Sequence, residues 1–250
     1  MSVMKPIVFS DLDDTIFQTA RKMADAPDET LKASHALNGS HSYMTPAQAA
    51  AFEWLNASTR FIPVTARSTE ALSRCALPFS DHQIASNGAV ILTPEGALDE
   101  DWMARTRDVC KAKEQLFADM KVKIEEMNED GGLRHWLVEE QMCGVYYCVK
   151  SNGSEERLDE VQSVMESFLG GTPGGLLFEH RNGNNLAYMP HDISKKGAVN
   201  YLIEKISPTR DQPIWGMGDS ITDLPFMESC DMMVIPTETQ LHKTFKKGSI

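Results

Sequence analysis

The chain has 250 residues, 42% of them hydrophobic and 24% charged, enough for one large core or two modest ones. Its formal net charge of −12 argues against a nucleic-acid partner, because phosphate backbones are bound by clustered Lys and Arg. No apolar run reaches the roughly 18 residues of a membrane span, and the first residues lack a signal-peptide pattern. A cytoplasmic monomer or homodimer without a membrane partner is therefore expected. The five cysteines (Cys75, Cys110, Cys143, Cys148 and Cys230) are odd in number and scattered, which indicates neither a zinc site nor a disulfide framework.

Pro6-Ile7-Val8-Phe9-Ser10 is a short apolar run stopped by acidic residues, the pattern of a buried parallel strand whose carboxyl end opens onto a site. The polar stretch from Arg21 to Tyr43 reads as a loop or small flap. Thr45-Pro46 starts a helix, and Phe61-Ile62-Pro63-Val64 returns as a strand ending at Thr65, giving a β-α-β unit. A helix over Thr69–Ala76 leads to a strand at Gln83–Ala85, then Ser86-Asn87-Gly88 and a hairpin-like run with its turn at Pro94-Glu95-Gly96. Beyond this the pattern is helix-strand-strand, twice: a helix over Asp101–Met127 with strands at Leu133–Gln141 and Gly144–Lys150, then a helix over Glu155–Leu169 with strands at Leu176–His180 and Asn185–Met189. Two strands after each helix favour an antiparallel α+β layer. A helix from Ser194 and a strand at Pro213–Met217, followed by a further helix and strand, resume the first pattern. The expected fold is thus an α/β, Rossmann-like, doubly wound parallel-sheet core over 1–88 and 189–250, interrupted by an α+β insertion over 89–188.

Four short segments fall at strand ends or helix starts, the edge where open parallel sheets bind ligands. In Asp11-Leu12-Asp13-Asp14-Thr15, carboxylates two residues apart can serve as nucleophile and acid/base, although an acidic cluster alone is usually a solvated turn. Thr65-Ala66-Arg67-Ser68 offers a hydroxyl and backbone donors suited to phosphoryl oxygens, or simply a helix cap. In Lys195-Lys196-Gly197, a lysine at a helix start can neutralise phosphate charge. Gly216-Met217-Gly218-Asp219-Ser220-Ile221-Thr222-Asp223 carries two carboxylates suited to a hard cation such as Mg²⁺; Asp223 alone is as readily a helix cap.

Taken in order, Asp11-x-Asp13-x-Thr15, Thr65, Lys196 before Gly197, and Gly218-Asp219-x-x-x-Asp223 resemble the four motifs of the haloacid dehalogenase superfamily. The insertion between the second and third motifs is similar to the C2B cap (αββαββ) of the subgroup containing sucrose-phosphate, trehalose-phosphate and mannosyl-3-phosphoglycerate phosphatases. The resemblance implies a Mg²⁺-dependent phosphatase. Asp11 would attack phosphorus, and Asp13 would protonate the leaving oxygen and later activate water. Thr65, Ala66 and Lys196 would bind the phosphoryl group, Mg²⁺ would sit on Asp11, the Asp13 carbonyl and Asp219, and Asp223 would bind the ion directly or position its waters. Two departures stand out: Asp14 replaces the commoner glycine, and Ile221-Thr222 replaces the usual Gly/Ala-Asn. Substrate contacts are expected from Arg67 and Asn87 in the core and from Lys150, Arg181 and Asn184 in the insertion, whose cations and amides suit a sugar phosphate or a similar small polar phosphorylated metabolite. Phosphomutase chemistry and a phospho-accepting regulatory protein are the alternatives.

Overall fold

The computed structural model describes residues 4–151, 155–170 and 176–248. The chain divides into two compact units, Met1–Asp99 with Lys195–Ile250, and Glu100–Ser194. The insertion therefore runs from 100 to 194 instead of 89 to 188. The run Ala89–Leu92 expected to open it stays with the first unit, because it pairs antiparallel with Gln83–Ala85 around Ser86–Gly88, and the expected turn at Pro94-Glu95-Gly96 is closed by a bridge from Leu92 to Leu98.

The first unit opens with β1 (Ile7–Ser10), all four residues buried as expected of a central strand. Three short strands follow, β2 (Gln18–Thr19), β3 (Lys32–Ser34) and β4 (Ser42–Tyr43), which pair antiparallel in the order β2-β4-β3. The polar 21–43 segment is thus mostly loop and short 3-10 helix, as expected, but β3 and β4 within it join β2 in a small sheet of two to three residues per strand. Helix α1 (Pro46–Ser58) starts on a full capping box: Thr45 accepts from the Gln48 backbone while the Gln48 side chain accepts from the Thr45 N–H, and Pro46 occupies the first turn. Strand β5 (Arg60–Pro63), the five-residue helix α2 (Thr69–Ser73) and the hairpin β6 (Gln83–Ala85) and β7 (Val90–Leu92) complete this half.

The second unit contains α3 (Glu100–Met127), β8 (Leu133–Glu140), β9 (Cys143–Ser151), α4 (Glu155–Phe168), β10 (Phe178–Asn182) and β11 (Asn185–Met189). This is the expected doubled helix-strand-strand pattern. Its four strands form one antiparallel sheet in the order β10-β11-β9-β8. The two helices bury Phe117, Met120 and Ile124 of α3 and Leu158, Val161 and Met165 of α4 against Tyr147, Val149, Leu186 and Tyr188 of the sheet. The unit therefore has a core of its own.

The chain then returns to the first unit with α5 (Lys195–Ile206), β12 (Ile214–Met217), α6 (Leu224–Met227), β13 (Met232–Val234) and α7 (Gln240–Lys246). Strands β13-β12-β1-β5 are all parallel, with Phe9 opposite Gly216 on one side and Ile62 on the other. A bridge from Val64 to Ile84 brings β6 alongside β5. Parallel pairing points the carboxyl ends of β1, β5 and β12 to one edge, so Asp11, Thr65 and Gly218-Asp219 emerge together. Among the described residues, no helix is long and apolar enough to cross a membrane.

Candidate active site

Asp11 follows directly on β1 and is 6% exposed, its N–H held by the Met217 carbonyl of the neighbouring strand. The chain then turns sharply. The Leu12 carbonyl accepts from the N–H groups of Thr15, Ile16 and Phe17, and Asp14 takes a left-handed φ of 64°. This explains why glycine is common at that position, and why Asp is among the few other residues that fit it. The Asp14 carboxylate pairs with Lys22, and Thr15 Oγ1 lies 3.4 Å from Asp11 Oδ2.

The lysine that reaches this point is Lys195. Its Nζ donates to Asp11 Oδ1 and to Asp223 Oδ1, both at 2.7 Å, and all three side chains are 10% exposed or less. Lys196, the residue expected from the motif, is exposed. The correction follows from helix geometry. Lys195 precedes the buried residues Ala198, Val199 and Leu202 by three, four and seven positions, so it lies on the inward stripe of α5, and Lys196 is turned away by one residue.

Asp223 is fully buried and occupies the N-cap position of α6, yet it makes no side-chain cap bond. Its carboxylate accepts instead from Lys195 and, through Oδ2, from the Ser220 N–H and hydroxyl. The side chain therefore does not serve as the helix cap that one sequence reading gave it. Gly218 makes its placement possible: a Cβ there would lie 2.4 Å from the Asp223 Cβ.

Oxygen atoms of Asp11, Asp219 and Asp223 come within 4.8 Å of one another. Three carboxylates against one ammonium leave an excess of negative charge in a poorly solvated space. Accordingly, burial, reinforced by Asp223 and Asp13, pushes Asp11 well above the usual carboxylate range despite the counteracting Lys195. Burial, with Asp223 and Asp14 adding to it, raises Asp219 to about 7. For Lys195 burial disfavours the charge, but Asp11 and Asp223 outweigh it and hold the ammonium above its ordinary value. A hard divalent cation on these carboxylates would relieve the excess, so the donor set fits Mg²⁺.

Thr65, at 1% exposure, accepts the Arg67 N–H on its hydroxyl at 3.1 Å, while its own N–H and carbonyl bond to the Ile84 carbonyl and the Asn87 N–H. Ala66 is exposed at the turn between them. Ser68 caps α2 by accepting the Ala71 N–H. Ser86, Asn87 and Gly88 take successive positive φ angles of 49°, 56° and 98°, a strained conformation of the kind that collects beside functional sites.

Arg67 does not reach out for a ligand. Its Nε and Nη2 each lie 2.7 Å from an oxygen of Asp13, a bidentate pair, and its side chain is 18% exposed. In the second unit, Arg181 pairs with Asp159 of α4 and donates to Gln162 at 3.2 Å, while Asn184 donates to the Ser151 carbonyl at 3.0 Å. Lys150 stands opposite Arg134 and Asn185 in the ladder.

Comparison with solved structures gives the fold. The chain aligns over 99% of its length, and 98% of the other chain, with a sucrose-phosphatase from Synechocystis sp. PCC6803 solved with sucrose and phosphate, at 14% identity and a TM-score of 0.55. It aligns over 94% of its length, and 88% of the other chain, with a trehalose-6-phosphate phosphatase related protein, at 16% identity and a TM-score of 0.53. With the C-terminal domain of the C. albicans trehalose-6-phosphate phosphatase it aligns over 90% and 74%, at 12% identity and a TM-score of 0.52. No family model matches the sequence. No curated protein matches it either. The chain shares with these structures a Rossmann-like parallel-sheet fold with an inserted α+β domain.

Proposed function

We propose that the chain is a Mg²⁺-dependent phosphomonoester hydrolase that works through a phosphorylated Asp11. The observation that carries this is the buried cluster at the end of β1, in which Asp11 touches Lys195 and shares a pocket of negative charge with Asp219 and Asp223. A carboxylate nucleophile and a dianionic ester repel each other, and the site holds the means to reduce that repulsion. Lys195 supplies a fixed positive charge at Asp11, and Asp11, the Asp13 carbonyl, Asp219 and Asp223 are the residues that would hold Mg²⁺. When bound, the ion offsets phosphoryl charge as phosphorus passes between oxygens.

In the first step an Asp11 oxygen bonds to phosphorus while the ester P–O bond breaks, and Asp13 gives a proton to the departing oxygen. In the second, water attacks phosphorus, its proton passes to Asp13, and the electron pair of the Asp11–phosphorus bond returns to Asp11. Asp13 is thereby recharged for the next ester. Thr65 and the backbone at Ala66, at the same sheet edge, bind the phosphoryl oxygens.

Neighbours whose names specify sucrose phosphate and trehalose 6-phosphate support a sugar phosphate as substrate. The net charge of −12 supports a small-molecule ester over nucleic acid, and the lack of a membrane-length helix among the described residues is in keeping with a cytoplasmic enzyme. The test is phosphate release from a panel of sugar phosphates, nucleotides and phosphoglycerates with Mg²⁺, beside EDTA and Asp11→Asn controls. Release of phosphate from one ester, lost in both controls, supports the reading. Conversion of an ester to a phosphorylated isomer without free phosphate would replace it with mutase chemistry.

A further inference from the structure

The guanidinium of Arg67 has five N–H donors, and each has an acceptor. Two go to Asp13 as described. Nη1 donates to Ser34 Oγ at 2.6 Å and lies 3.9 Å from Cys75 Sγ, and Nη2 is 3.5 Å from Ser42 Oγ. The Phe17 ring supports the plane, with its centroid 4.9 Å from the guanidinium carbon. Ser34 and Ser42 are register partners on β3 and β4, and both are at least 97% buried. The small sheet formed by 18–43 thus presents two buried hydroxyls to the far side of the same guanidinium that grips Asp13.

We propose that this sheet is a positioning device for the acid/base: Ser34 and Ser42 fix the fork of Arg67, and Arg67 fixes the direction of the Asp13 carboxylate for the attack of water on the aspartyl-phosphate. The proposal rests on the phosphatase reading and adds a role for a segment that reading leaves idle. The geometry suits the water step. Asp13 is 47% exposed, so water reaches it, whereas the clamp behind it is mostly buried. Each Asp13 oxygen keeps a lone pair beyond its bond to Arg67, and one of these takes the proton as water bonds to phosphorus and the Asp11–phosphorus bond breaks. A planar fork engaged at both ends leaves the carboxylate a single orientation, which a lysine could not impose. With all five donors engaged, Arg67 is a positioning residue and not a substrate contact.

The experiment uses p-nitrophenyl phosphate, whose leaving group needs little protonation, with Mg²⁺ and the whole chain. Three variants are compared with wild type: Arg67→Gln, Arg67→Lys, and Ser34→Ala combined with Ser42→Ala. Steady-state kcat, kcat/KM and the acid-trapped fraction of phosphorylated enzyme are measured. The expected result for Arg67→Gln is kcat lower by about 10²-fold, the size of a general-base contribution. Its kcat/KM should stay within about threefold, and phosphorylated enzyme should accumulate. Arg67→Lys and the double serine variant, which preserves every active-site charge, should show the same pattern at smaller size. A parallel fall in kcat and kcat/KM without accumulation, or no change in the double serine variant, would overturn the proposal. Failure of the phosphatase reading itself shows separately, as a wild-type protein that releases no nitrophenol and carries no phosphoryl group.

Discussion

Asp11, Lys195 and Asp223 in the first unit are each at least nine-tenths buried, with Lys195 bonding to both carboxylates, whereas Arg181 and Asn184 in the second unit lie nearer the surface and bond within their own unit. Burying three charges is costly, so residues tolerate it only where further bonds and a chemical task hold them. Polar residues on exposed strands carry no such cost, and their presence alone says little about a ligand. The comparison teaches that a site is read from charges kept where they are expensive.

The largest effect that can break this contrast concerns the two adjacent lysines. Lys195→Met should reduce kcat by about 10²–10³-fold, comparable to removing a preorganised transition-state donor, while Lys196→Ala should stay within about twofold of wild type. Equal losses in the phosphate-release assay would return Lys196 to the site. Next comes the second unit's core. Leu158→Ala empties a fully buried position and should cost about 2–5 kcal/mol by urea unfolding; a loss below about 1 kcal/mol would mean that the unit is not held by this core.

Smaller and more specific is the effect of pH on the metal-free protein. Asp219 is raised to about 7 by burial and neighbouring carboxylates, above an unfolded value of about 3.9. An acid shifted upward favours folding fully below the unfolded pKa, and that contribution is lost as pH rises through the folded one. Asp219→Asn should therefore gain in melting temperature relative to wild type, by a few degrees, as pH rises from about 4 to about 7. Mg²⁺ should stabilise wild type more than the variant. A pH-independent difference in the EDTA-treated pair would contradict the charge excess at the site. The smallest effect is expected from Arg181→Ala, whose partner Asp159 is 62% exposed. Stability should change by under about 1 kcal/mol and kcat/KM by under about threefold; a large rise in KM would make Arg181 a substrate contact after all.

Much of the fold was legible because each half of the chain has its own rhythm. The buried run Ile7–Ser10 could only be a central strand, and the helix-strand-strand pattern of the insertion needs no tertiary knowledge. The 21–43 sheet was not legible, since strands of two and three residues leave no period to count and are held by their neighbours. At the candidate site, spacing singled out Asp11, Asp13, Thr65, Asp219 and Asp223, which the parallel sheet brings to one edge. The choice of Lys196 over Lys195 followed its place before Gly197, when the apolar stripe Ala198-Val199-Leu202 pointed to its neighbour. The roles of Arg67, Ser34 and Ser42 depend on contacts between residues 25 to 54 positions apart, which no local pattern encodes.

The central claim is that Asp11 carries the phosphoryl group. Its most direct test is a single turnover of the best ester in the panel with Mg²⁺, quenched with acid, reduced with borohydride and read by peptide mass spectrometry. Conversion of Asp11 to homoserine, in an amount that rises and then decays as phosphate appears, is the predicted result. Phosphate release with Asp11 unmodified throughout, or a reduced carboxyl at any other position, would contradict it.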